Sequence, residues 1–327
     1  MTEPGLAVPE ALAASHRRYF QEAGRRWVEA LPELARRCLE RWELRPDGPA
    51  AHGAVALVLP VRRADGTPAA LKLQPVDDET SGEATALRCW AGLGAVGLYE
   101  HDPESGSMLL ERLDAARPLT VVPDDLAAVT VIARLLVRLN AVPAWPGLRH
   151  LADVARATQD AVPRALQHAV DPVERELLSR CAGHLAEVLA APVGDRLLHW
   201  DLHYANVLAR LDDPGSWRAI DPKPLSGDPG FELLPALWNR WDDVLATGDP
   251  AAAVLRRFDL MTEVLGLDRP RAAAWTLARV LQNACWDLGS FGAGRIEPAH
   301  RVIAEVLLRP RRTDRSPRGH RGVAGTG

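Results

Sequence analysis

Lysine is nearly missing from this sequence. Only Lys72 and Lys223 are lysines, and the other 37 of the 39 basic residues are arginine. Arginine serves generic surface positions. A lysine kept against that background points to a compact ammonium held close to phosphate oxygens. Cysteine is scarce too. Cys38, Cys89, Cys181 and Cys285 lie far apart with no CxxC pair. That excludes a disulfide framework or a zinc cluster and fits reduced thiols. No apolar run is long enough to cross a bilayer. The first twenty residues lack a basic stretch leading into an apolar one, so they do not read as a signal peptide. These absences predict a cytoplasmic protein. The net charge is −4, and with no basic excess there is no footprint for nucleic acid.

The charge that is present is uneven. From Arg309 onward six arginines face one acid, Asp314, so this stretch carries +5 and the rest of the chain −9. An acidic body suits a cationic small-molecule substrate, and suits an ordinary solvated surface equally well. The stretch 309–327 has no apolar period and predicts a disordered basic tail. With 327 residues, 47% apolar and 25% charged, the chain can bury a large core unaided, as one large domain or two lobes sharing a cleft.

Periodicity sets the outline. Residues 9–43 repeat at helical spacing, with Pro32 expected to break the helix. Residues 54–61 and 68–74 read as strands around the turn at Asp65-Gly66, and 80–93 as a helix with Ser81 as N-cap. Residues 98–100 and 107–112 form another strand pair. After Asp114 the chain turns helical, most clearly over 124–140 and 171–189. A short β segment interrupts it: 196–199, 207–209, the turn at Asp212 to Gly215, and 217–220. Helices resume from Phe231 to Leu308. The fold class is therefore α+β, with a small β-rich N-terminal lobe, a larger helical lobe, and a cleft between them as the natural small-molecule site.

The chemistry concentrates in His199-Trp-Asp201-Leu-His-Tyr-Ala-Asn206, followed after a hairpin by Ile220-Asp221-Pro222. A strand, His-x-Asp, Asp-x4-Asn, a hairpin and a second Asp form the catalytic-loop and metal-loop pattern of kinases. Each residue type has its own reason. Phosphoryl transfer needs a carboxylate to take the acceptor's proton, and Asp201 would supply it. Magnesium takes hard oxygens and keeps several waters, so Asn206 and Asp221 suffice as protein ligands. His199 would brace the loop by a hydrogen bond to its backbone. In isolation an H-x-D is turn chemistry; the combination is specific.

Lys72, on the strand Ala70-Leu-Lys-Leu73, is followed eleven residues later by Glu83. In kinases such a pair sets an ammonium against the α/β-phosphates of ATP. Glu79, one helical turn earlier, competes for the role. For Glu83 the bland alternative is an acid placed by the helix dipole. Gly53, in Gly48-Pro-Ala-Ala-His-Gly53, is a candidate phosphate-loop contact, although a turn accounts for it equally.

These residues resemble the aminoglycoside phosphotransferase superfamily, which shares the protein-kinase-like two-lobed fold. The streptomycin 6-kinase and hydroxyurea phosphotransferase branch is suggested by His199 to Leu208, Ile220 to Pro235, Trp238-Asn-Arg-Trp-Asp242, Glu83 to Trp90 and Leu109 to Asp114. The resemblance spans roughly residues 20–308. It implies an ATP- and Mg2+-dependent phosphotransferase with Asp201 as base, Asn206 and Asp221 as metal ligands and Lys72 as the phosphate lysine. The segment at Leu113 would be the hinge that receives adenine. It implies an N-terminal nucleotide-binding lobe over 1–113 and a catalytic and substrate lobe over 114–308. The resemblance implies that the acceptor is a hydroxyl of a small molecule, a cationic one such as streptomycin, or hydroxyurea. Where many relatives have glycine this chain has Trp200, expected to pack under the loop. Lys223 would touch a phosphate or pair with Asp228. Carboxylates for a cationic acceptor would come from Glu232, Asp242, Asp243, Asp259 or Glu263, each of which reads as well as a solvated charge. Trp238, Trp241, Trp275 and Trp286 would stack on a flat cation or form core. Two other functions fit the same residues: a metabolic kinase for an amino alcohol or sugar, and a non-catalytic nucleotide-binding protein.

Overall fold

Leu57, Leu59 and Val61 alternate with Val58, Pro60 and Arg62, and the first three are buried. This period of two makes Leu57–Arg62 a half-buried strand. In the computed structural model, which describes residues 8–290 and 295–309, it is β3 of an antiparallel sheet. Two short pieces, β1 (Arg45–Pro46) and β2 (Ala51–His52), pair along its one edge. Beyond it come β4 (Pro68–Leu73), β6 (Ser107–Glu111) and the edge strand β5 (Leu98–Asp102). The register sets Lys72 between Val58 of β3 and Met108 of β6.

Helix α1 (Glu10–Arg41) covers this sheet, burying Leu12, Leu31, Leu34 and Cys38 with Leu57, Leu71 and Leu73. It does not break at Pro32, as the sequence predicts. The break is at Gln21, where φ is 50° and ψ is −122°. There the chain doubles back so closely that a Cβ on Gly24 would stand 2.3 Å from the His16 carbonyl oxygen. The second helix, α2 (Glu83–Cys89), is shorter than its periodicity predicts. Ser81 is not its cap; the preceding turn is closed by Asp77, which accepts from the Glu79 and Thr80 amides.

At Arg112 the chain leaves the first sheet and enters a second. There β7 (Leu113–Pro118) pairs with β9 (Val207–Arg210), and β9 with β10 (Trp217–Ala219). A third, two-stranded sheet joins β8 (Arg196–Leu198) to β11 (Leu225–Gly227). The remaining elements are helical: α3 (Asp125–Leu139), α4 (Leu151–His168), α5 (Pro172–Leu189), α6 (Leu234–Trp238), α7 (Trp241–Ala246), α8 (Pro250–Leu265), α9 (Arg269–Ser290) and α10 (Pro298–Leu307). Their starts were written locally. Asp124, Asp171 and Asp249 accept from amides of the first turns of α3, α5 and α8, and proline opens the latter two. Helices α4 and α5 pack on α9, and α3 packs on α8.

The fold is thus α+β and protein-kinase-like, a sheet-rich N-terminal part on a helical C-terminal part. Among the described residues no helix is long and apolar enough to cross a membrane. The tail, from residue 310, lies outside the described residues.

Candidate active site

Three short segments converge where the sheets meet. Residues 199–206 follow β8, residues 220–223 follow β10, and β4 with α2 supplies Lys72 and Glu83. The first two segments are laced by their backbones. The Lys223 amide donates to the His199 carbonyl at 3.0 Å, and the Ile220 amide to the Asn206 carbonyl at 2.9 Å. The His199 ring is fully buried and its Nε2 meets the Ile220 carbonyl at 3.0 Å, so Nε2 carries the proton. Burial pushes its pKa down to about 4, so it is neutral at ordinary pH. The bracing role expected for His199 is the one observed.

Tyr204 anchors the loop to the helices. It is buried, donates to the Ala236 carbonyl at 3.2 Å, and lies beneath the guanidiniums of Arg240 and Arg257. Arg257 is itself fully buried, with bidentate bonds of 2.7 and 2.8 Å to Asp125. It also donates to the carbonyls of Leu237 and Asn239.

Lys72 faces inward. Its Nζ lies 2.7 and 2.9 Å from the two oxygens of Glu83 and 2.8 Å from Oδ1 of Asp221. Glu83, not Glu79, is therefore the lysine's helix partner, and Gln74 donates to Glu83 at 2.6 Å to hold it. Gln74 carried no signal in the sequence. Burial would lower the Lys72 pKa, but the two carboxylates outweigh it and raise it, so the ammonium stays charged. Burial pushes the Glu83 carboxyl up against the pull of Lys72. Asp221, 45% exposed at its side chain, moves the other way: its partial burial is outweighed by the Lys72 ammonium, which holds it down.

Asn206 donates through Nδ2 to the Asp201 carbonyl at 2.9 Å, which leaves Oδ1 as its atom for a metal. An amide oxygen and an ionised carboxylate are the hard donors that magnesium takes when phosphates complete its shell. The residues present fit that ion. Gly53 sits in the turn between β2 and β3, where an added Cβ would meet nothing within 4 Å. Leu113, the first residue of β7, is buried and pairs with Arg210.

Lys223 does not pair with Asp228. Asp228 is taken by Arg271 at 2.6 Å. The Lys223 Nζ instead lies 3.2 Å from Glu79 and 3.6 Å from Oδ2 of Asp201.

Three of the five carboxylates considered for a cationic acceptor are engaged by other groups. Asp243 is paired with Arg240 and Asp259 with Arg269. Asp242 and Glu263 are exposed on α7 and α8. Glu232 is buried and accepts the Trp200 amide through Oε1 at 2.5 Å. Desolvation raises its pKa to about 7. Of the four tryptophans only Trp275 is fully buried core; Trp238 and Trp286 are 37% and 63% exposed. Trp200 packs as expected, 7% exposed, and at a φ of 66° it occupies left-handed space that favours glycine.

Residues 41–290 match the family profile of the aminoglycoside/hydroxyurea antibiotic resistance kinases. A streptomycin 6-kinase of Streptomyces glaucescens is 55% identical over 302 residues, 92% of this chain and 97% of that one. A hydroxyurea phosphotransferase of Kitasatospora aureofaciens is 54% identical over 305 residues, 93% of this chain and 86% of that one. Among solved structures, a thermostable mutant of an aminoglycoside phosphotransferase, in ternary complex with ADP and hygromycin B, superposes with a TM-score of 0.57 at 17% identity. It covers 83% of this chain and 97% of that one. At that identity the likeness is one of fold.

Proposed function

The chain belongs to the aminoglycoside/hydroxyurea antibiotic resistance kinase family, and from that premise we propose that it transfers the γ-phosphoryl group of ATP to a hydroxyl of streptomycin or hydroxyurea. The observation that carries this reading is the Lys72 ammonium bound to both Glu83 and Asp221 within 2.9 Å, joining the nucleotide strand to the metal loop. A non-catalytic nucleotide binder has no need to keep Lys72, Asp201, Asn206 and Asp221 together.

In this reading the two lobes divide at residue 113. Leu113 marks the passage that receives adenine, and Gly53 covers the phosphates. Lys72, held by Glu83, neutralises charge on the α/β-phosphates. Asn206 and Asp221 hold magnesium, which when bound screens the triphosphate and orients its oxygens. Asp201 accepts the proton of the attacking hydroxyl. Lys223, beside that carboxylate, holds a positive charge on the path between acceptor and donor. The four free cysteines support a reducing, cytoplasmic setting.

The test is ADP release with each acceptor in turn, repeated on Asp201→Asn. Acceptor-dependent release that falls by about 10²–10⁴-fold in the variant is expected. Stabilisation by ATP and magnesium with no turnover on any acceptor would leave a nucleotide-binding protein instead.

A further inference from the structure

Trp200, the neighbour of Asp201, is flanked by two arginines. The Arg149 Cζ lies 4.3 Å and the Arg279 Cζ 5.1 Å from the centroid of its six- and five-membered ring system. Arg279 is 9% exposed and also lies over Phe231 at 4.9 Å. Nε and Nη2 of Arg149, Nε and Nη1 of Arg279 and Nε1 of Trp200 are all buried, and none has a hydrogen-bond partner among the described residues.

A guanidinium has donors only, and so has an indole. Burying such donors without acceptors is strongly unfavourable, more so when they are charged. Stacking on the indole accounts for the ring faces but leaves the in-plane N–H groups unmet. Burial already lowers the pKa of Arg279 to about 10, against the pull of Asp201, Glu232 and Glu79. Lys223, 3.6 Å from Asp201, adds a third cation on this side. The surroundings of the base are therefore rich in unmet donors, and their cations lie among the carboxylates of Asp201, Glu232 and Glu79. A guanidinium or ammonium of an acceptor, itself only a donor, would leave these N–H groups unmet, and an oxygen bearing lone pairs would be drawn in.

We propose that Arg149, Trp200 and Arg279 form the acceptor subsite, and that they bind an uncharged carbonyl oxygen next to the hydroxyl that is phosphorylated. Hydroxyurea has this arrangement: one nitrogen separates its hydroxyl from its carbonyl carbon. The inference rests on the phosphotransferase reading above and narrows its substrate class. It revises the cationic acceptor suggested by the acidic composition.

The test compares hydroxyurea with N-hydroxyguanidine, of the same shape but with a protonated imine in place of the carbonyl. Wild-type protein is expected to favour hydroxyurea by at least about 100-fold in kcat/KM, because the cation leaves the donors unmet. Arg149→Met and Arg279→Met are expected to raise the KM for hydroxyurea and shrink that preference below about tenfold, with the KM for ATP unchanged. A merely structural arginine would move both KM values or neither. If the Met variants do not fold, Arg149→Lys and Arg279→Lys, which keep the charge and lose the fork, carry the same comparison. An unchanged preference in the variants overturns the inference. So does wild-type turnover of streptomycin but not of hydroxyurea. No ADP release with any acceptor removes the phosphotransferase reading itself, and the subsite with it.

Discussion

The Lys72 ammonium and the Asp221 carboxylate, 149 positions apart in the chain, meet at 2.8 Å. That contact joins β4 to the loop after β10, and it fixes which way the strand faces. With Glu83 on its other side, Lys72 is a buried cation between two anions, and Glu83 has no exposure to fall back on.

Removing one member of that group leaves the others stranded. Lys72→Met leaves Glu83 buried without its cation and is expected to destabilise the fold by about 3–5 kcal/mol. Adding Glu83→Gln should recover part of that loss, since the amide oxygen can still accept from Gln74. Urea unfolding of the two single variants and the double variant reads the coupling. Simply additive losses would show that the pair is not a unit.

Glu232 gives stability a distinct pH dependence. Its folded-state pKa of about 7 lies above the ordinary 4.5. Between those values the folded protein keeps a proton that the unfolded chain releases, so its contribution is full below 4.5 and is lost as pH rises to 7. The loss is about 1.4 kcal/mol per pH unit. His199 and His300, both pushed down to about 4, act oppositely between 4 and 6.5. Glu232→Gln removes the first effect alone while leaving an oxygen for the Trp200 amide. The stability of the variant relative to wild type should climb across pH 4.5–7 by about 3 kcal/mol and then level off. Parallel curves would contradict the assignment.

Gly24 is a steric requirement. A methyl group there would stand 2.3 Å from the His16 carbonyl oxygen and 2.9 Å from the Phe20 Cβ. Backbone cannot yield as a flexible side chain can. Gly24→Ala is expected to cost about 1–3 kcal/mol, although alanine favours helices elsewhere. Gly183, within α5 and with nothing within 4 Å of an added Cβ, is the control: Gly183→Ala should stabilise by about 0.4–1 kcal/mol. Thermal melts of both variants make the comparison.

Much of this architecture was legible in one dimension. Asp124 and Asp171 marked helix starts because a cap is a local hydrogen bond. Asp201, Asn206 and Asp221 declared themselves because a loop and a hairpin have fixed lengths. Position 21 was illegible: a sharp reversal at a glutamine has no residue signature, whereas Pro32 carries one that the helix here overrides.

The sequence by itself determined the order and spacing of the residues that bear charge and bind phosphate, because periodicity, caps and turns act between near neighbours. Only the tertiary structure decided the partners: Glu83 over Glu79 for Lys72, Glu79 and Asp201 over Asp228 for Lys223, and a buried Glu232 that accepts the Trp200 amide. Those choices rest on how α2 and α6 settle against the strands and loops, and packing over tens of residues decides which side chains lose water together.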